Sequence, residues 1–107
     1  MKIDLHIHTK QTIKDEPKDI NIPSAEFFIS ALEDNDVGVV AITNHNEFDL
    51  NQYLEIMKTI KNKEKILILP GVELSIYDNE KHEKHINLIK SNETDLEKFV
   101  EEIKKYL

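Results

Sequence analysis

Hydrophobic and polar positions alternate strictly through Ile3-Asp4-Leu5-His6-Ile7-His8-Thr9. This predicts a strand with Ile3, Leu5 and Ile7 on one face and Asp4, His6 and His8 on the other. The first face suits a core. The second sets two imidazoles roughly 7 Å apart at Cβ, so both rings can lean onto a single divalent ion of the zinc, manganese or iron kind. Asp4 is then placed to orient a ring from behind. The heptapeptide alone reads equally as an edge strand with a polar outer face, and later residues decide between the two.

Residues 10–21 are polar and carry Pro17, which predicts a loop. Ser24 is the expected N-cap of a helix with Glu26 in its first turn and an apolar stripe of Phe27, Phe28, Ala31 and Leu32 that stops near Asn35. Val37 to Ile42 is nearly continuous apolar sequence, as expected of a strand covered on both faces. Asp49 and Gln52 form a capping-box pattern, followed by Leu50, Tyr53, Leu54, Met57 and Ile60 at helical spacing, with Tyr53 and Met57 expected in the core. Residues 65–69 predict a third buried strand that breaks at Pro70-Gly71 before Val72-Glu73-Leu74-Ser75-Ile76. A charged turn over residues 77–84 leads to a further strand over 85–90. Thr94 and Glu97 then cap a helix whose stripe is Leu96, Phe99, Val100, Ile103, Tyr106 and Leu107. The order is strand, helix, strand, helix, strand, strand, helix, one continuous α/β unit over residues 1–107.

Composition narrows the chemistry. The 107 residues make one domain at most, and a chain of this size buries only about two thirds of its unfolded surface. Apolar runs such as Ile66-Leu67-Ile68-Leu69 are far too short for a bilayer, and the start Met1-Lys2-Ile3-Asp4 has no secretion signal, so a cytoplasmic location and no membrane partner are expected. The absence of cysteine excludes disulfides and thiolate zinc sites, leaving His, Asp and Glu as ligands. A net charge of -7 argues against a broad basic nucleic-acid surface, although a local metal cluster could hold one phosphate. Lys58, Lys61, Lys63 and Lys65 read as a solvated helix end.

In βα units, ligands gather beyond the carboxyl ends of the strands, where the connecting loops meet. His6 and His8 close the first strand, His45 follows the second, Glu73 follows the third, and His85 opens the segment after the charged turn. His82 sits among Asn79, Glu80, Lys81, Glu83 and Lys84 and is expected to be solvated.

Four ordered motifs then carry a resemblance. Asp4-Leu5-His6-Ile7-His8-Thr9, Val40-Ala41-Ile42-Thr43-Asn44-His45-Asn46, Pro70-Gly71-Val72-Glu73 and His85-Ile86-Asn87-Leu88-Ile89 resemble the successive motifs of the polymerase and histidinol phosphatase (PHP) superfamily of metal-dependent phosphoesterases. The match covers residue 2 to about residue 90. It implies a distorted (β/α)7 barrel, of which this chain holds the first half, with two or three divalent metal ions, zinc, manganese or iron, at its carboxyl-end face. By position, His6 and His8 would bind one ion, Glu73 would bridge it to a second bound by His85, and His45 would serve a third. Glu73 and His45 are the expected catalytic residues. A cation cluster of this kind lowers the pKa of a water and neutralises charge growing on phosphoryl oxygens, and glutamate suits bridging because it offers two anionic oxygens.

Three departures from the family pattern carry expectations of their own. Lys10-Gln11-Thr12-Ile13-Lys14 replaces a short turn whose acidic or histidine residue reaches the third metal, so that ligand is missing or is supplied by Asp15 or Glu16. Asn44 and Asn46 replace acids on either side of His45, which removes negative charge from the cluster and weakens any acid/base role there. The late histidine and Asp-x-His motifs lie on strands this chain does not reach. A half-barrel would expose strand edges, so the expectation is a piece of a longer protein, a homodimer that completes the sheet, or a compact variant. Glu47-Phe48-Asp49 after motif two resembles PHP domains that precede ATPase regions. The expected function is therefore hydrolysis of a phosphate ester, a phosphomonoester or a nucleic-acid phosphodiester. The alternative is a non-catalytic metal-binding or regulatory module of an ATPase- or polymerase-associated protein, and a small α/β domain with incidental histidines would bind no metal at all.

Overall fold

The computed structural model describes residues 1–14, 16–60 and 65–107. Asp15, one of the two expected loop ligands, and Lys61 and Lys63 of the basic group lie outside the described residues. The described elements are β1 (Lys2–Ile7), α1 (Ala25–Asp34), β2 (Val37–Ile42), α2 (Leu50–Thr59), β3 (Leu67–Tyr77), β4 (Glu83–Ile89) and α3 (Leu96–Lys104), with one 3-10 turn at Lys18–Ile20 in the loop after β1. The strands form one curled sheet, ordered β1-β2-β3-β4, like part of an α/β barrel. The first two pairings are parallel and the last is antiparallel.

Local signals set the helix starts. Ser24 Oγ accepts from Phe27 N at 3.0 Å and Asp49 Oδ1 accepts from Gln52 N at 2.9 Å, each satisfying a donor that the first turn leaves free. At α3 the cap is Asp95, whose carboxylate accepts from Lys98 N, rather than Thr94. The carboxylate brings a charge to the positive end of the helix that a hydroxyl lacks. Helix α3 ends at Lys104, so Tyr106 and Leu107, expected on its stripe, are exposed.

Among the described residues the helices cover one face of the sheet. Phe28, Ile29 and Leu32 of α1 and Tyr53 and Ile56 of α2 join Val40, Ile42, Ile68, Val72 and Leu74 in one core, which Phe99 and Ile103 of α3 extend. Phe48 bridges the two parts, with its ring 5.4 Å from Tyr53 and 5.0 Å from Phe99. Phe27 and Leu54, expected on the apolar stripes, are exposed.

Two departures from the sequence reading decide where the chemistry lies. Ile3, Val39 and Leu67 make one row across three strands, and Asp4, Val40 and Ile68 make the next. Val40 and Ile68 are fully buried under the helices, whereas Ile3 is 62% exposed, so the apolar face of β1 looks away from the core. The pairing then slips: Asp4 is opposite Val40 but Ile7 is opposite Ile42, three steps of β1 against two of β2. Such a bulge returns Ile7 to the helix side, where it packs on the core, and separates Asp4 from the face of His6 and His8.

The second departure is at Pro70-Gly71, where the third strand continues instead of breaking. Leu67, Ile68, Leu69 and Pro70 pair with β2, and Gly71 onward with β4. Pro70 has no N–H to offer a ladder, and its carbonyl accepts from Lys90 N at 2.8 Å. At Gly71 both neighbouring strands close in, since a Cβ there would stand 3.0 Å from the carbonyl oxygens of Ile42 and Leu88. Glu73 consequently lies inside a strand, on the face opposite the buried Val72 and Leu74.

Candidate metal centre

The open face of the sheet carries the cluster. Backbone pairing first brings its parts together. Beyond the end of β2, Glu73 N donates to Asn44 O at 2.9 Å and Asn46 N donates to Glu73 O at 2.8 Å, so His45 sits in register beside Glu73. Asn46 has φ of 55°, the left-handed region that asparagine tolerates better than most residues, and its Oδ1 accepts from Ser75 N at 2.9 Å. On the other side, β4 sets Asn87 opposite Glu73 and His85 opposite Ser75, which puts His85 and Asn87 on the same face.

Four imidazoles converge on the two oxygens of Glu73. His6 Nε2 is 2.5 Å and His8 Nε2 is 3.3 Å from Oε1; His45 Nδ1 is 2.9 Å and His85 Nδ1 is 3.1 Å from Oε2. The carboxylate is only 4% exposed, His8 and His45 are largely buried, and His6 and His85 are about half exposed at the rim. The four sequence-predicted histidines are thus gathered around the fifth candidate, the buried Glu73, whereas His82 stands apart, 68% exposed between Asp78 and Glu80.

The contacts around the rings differ from the expected ones. Asp4 accepts from the backbone N of His6 at 3.1 Å and leaves the ring alone. The Asn87 amide takes that place, 3.2 Å from His6 Nδ1. Glu83 lies 3.0 Å from His85 Nε2. Nothing local in the sequence marks Asn87 as a partner of His6; the antiparallel register of β4 places it there. The loop does supply an acid: Glu16 Oε2 is 3.0 Å from His8 Nδ1 and 3.9 Å from His45 Nε2. Burial pushes the Glu16 carboxyl up, but hydrogen bonds from the Thr12 and Ile13 N–H groups, together with the neighbouring His45 ring and the Thr12 side chain, hold it below its ordinary range.

Asn44 does not border the cluster as a missing acid. It is buried, its Oδ1 accepts from Thr9 N and Lys10 N at 2.8 and 3.2 Å, and its Nδ2 donates to Thr9 Oγ1 at 3.0 Å. Thr9 in turn donates to Gln52 Oε1 of α2. Lys10 Nζ binds Asp49 Oδ2 at 2.9 Å and Glu47 Oε1 at 3.1 Å, and chiefly the Asp49 hydrogen bond raises its pKa against the opposing effect of burial. A groove lined by Asn46, Phe48, Val100, Ile103 and Leu107 includes none of the histidines.

The donor set fits a divalent cation. Imidazole and carboxylate suit zinc, manganese or iron, and two groups have ligand atoms within 4.8 Å of one another: His6, His8 and Glu73, and His8, Glu16 and His45. His45 Nδ1 is buried and makes no hydrogen bond, although it is 2.9 Å from Glu73 Oε2. An imidazole lone pair held that close to an anionic oxygen is repelled unless a proton or a cation is shared between them. Among the described residues no helix is long and apolar enough to cross a membrane. Comparison with protein-family models and with curated proteins finds no match to this chain.

Proposed function

We propose that this chain is a metal-dependent phosphoesterase domain of the PHP type, its sheet and helices forming the first βα units of a distorted (β/α)7 barrel. A single observation carries the reading: His6 and His8 approach one oxygen of the buried Glu73 while His45 and His85 approach the other. Glu73 would bridge two divalent ions, the first held by His6 and His8 and the second by His45 and His85. When bound, the ions supply Lewis-acid charge, lower the pKa of a water and neutralise charge on phosphoryl oxygens.

The chain's own residues support that chemistry. Neutral imidazoles leave the net charge of the centre positive, which an anionic ester requires. Lys10 is committed to Asp49 and Glu47, so it does not replace that charge. The half-exposed rings of His6 and His85 leave the rim open to a phosphomonoester or a nucleic-acid phosphodiester. That same openness favours one second reading, a non-catalytic metal-binding module of a larger ATPase- or polymerase-associated protein, because a site without walls excludes little water.

Phosphomonoesterase and nuclease assays with added manganese separate the two. The phosphoesterase reading predicts turnover in the wild type that is lost in His8→Ala and Glu73→Ala. Metal uptake without turnover of either substrate class would overturn it in favour of the module.

A further inference from the structure

We infer that Glu16 is a positioning residue for His8, fixing the ring tautomer that leaves Nε2 free to take a cation beside Glu73. The inference rests on the metal reading above and concerns a residue on the loop after β1.

The loop returns Glu16 to the strand end it left. Gln11 Nε2 donates to the Glu16 carbonyl at 2.9 Å, and Gln11 N donates to Asn21 Oδ1 at 2.8 Å. Glu16 Oε1 accepts from Thr12 N at 3.0 Å and Ile13 N at 3.2 Å, which fixes the carboxylate plane. The Thr12 hydroxyl is 3.2 Å from the same oxygen and 2.7 Å from the His45 carbonyl. Its single proton goes to the closer acceptor, which ties the loop to the segment bearing His45. Oε2 is left for His8 Nδ1, at 3.0 Å and in hydrogen-bonding geometry.

The chemistry of the two partners then decides the tautomer. An ionised carboxylate only accepts, so Nδ1 is the donor, and a neutral imidazole that carries its hydrogen on Nδ1 has its lone pair on Nε2. Nε2 is the atom facing Glu73 Oε1. Carboxylate, imidazole and cation would stand in line, the arrangement in which an outer acid orients a ligand and raises its basicity. A neutral His8 has one lone pair to give, and Glu16 directs it toward Glu73 rather than toward the loop.

Long-range proton–nitrogen NMR of the histidine rings in the zinc-loaded protein tests this without any activity. The wild type should show His8 with its hydrogen on Nδ1 and none on Nε2. In Glu16→Gln the one amide oxygen is claimed by the Thr12 and Ile13 N–H groups, so the NH2 faces Nδ1, and the hydrogen should move to Nε2. Zinc alone, titrated against a chromophoric chelator, should then bind about 10- to 100-fold more weakly. A wild type that binds zinc but carries the His8 hydrogen on Nε2 overturns the inference and leaves the metal reading standing. So does a Glu16→Gln protein that keeps the Nδ1–H tautomer and loses a whole equivalent of zinc, the mark of a direct ligand. A wild type that takes up no zinc overturns the metal reading itself.

Discussion

Asn44 holds Thr9 by both ends of its amide: Oδ1 accepts the Thr9 backbone N–H at 2.8 Å and Nδ2 donates to the Thr9 hydroxyl at 3.0 Å. All of these groups are buried, and Thr9 follows His8 directly. The pair therefore locks the exit of β1 to the exit of β2 and fixes the approach of His8 to the cluster. Asn44→Ala leaves the Thr9 N–H unsatisfied, at a cost of about 1–3 kcal/mol. Urea denaturation of the metal-free variant should show that loss as a lower midpoint with an unchanged slope. An unaltered midpoint would mean that the pair does not hold the strand ends.

Neighbouring residues on β3 should respond to very different degrees. Ile68 is fully buried against the helices, and Leu67 lies on the open face at 38% exposure. Ile68→Ala is expected to cost about 2–5 kcal/mol, and Leu67→Thr less than about 1 kcal/mol. Thermal melts of the two variants check the assignment of faces, which equal losses would refute.

Tyr53 links α2 to the sheet, its hydroxyl donating to the Ile68 carbonyl at 2.8 Å. Burial pushes its pKa from 10.0 up to about 12. The folded state therefore keeps the proton after the unfolded chain has lost it. The contribution is complete below pH about 10 and disappears as the pH rises toward about 12, a difference of roughly 1–3 kcal/mol. Stability measured across this range should fall less steeply in Tyr53→Phe than in the wild type. Parallel slopes would contradict the shift.

The order of elements was legible because its signals are local: Ser24 and Asp49 announce helices, and unbroken apolar runs announce β2 and the start of β3. The five candidate ligands were legible for a similar reason, as each lies in a short motif. What depends on pairing was not. The bulge that parts Asp4 from His6 exists only against β2, and Asn87 is placed beside His6 only by the register of β3 with β4. The passage of β3 through Pro70-Gly71 likewise needs both neighbours, one on each side of the change. Asn44 and Asn46 read as lost acids when compared with a motif, yet their amides are occupied in joining backbone segments.

The most direct measurement is a calorimetric titration of zinc into chelator-treated protein, wild type beside Glu73→Gln. The exchange keeps the shape of the side chain and removes the charge that four imidazoles surround. The wild type should bind zinc, and the variant should bind it more weakly than the roughly 10- to 100-fold loss expected for an outer partner. Equal affinity in the two proteins, or no binding to the wild type, would contradict a metal centre built on Glu73.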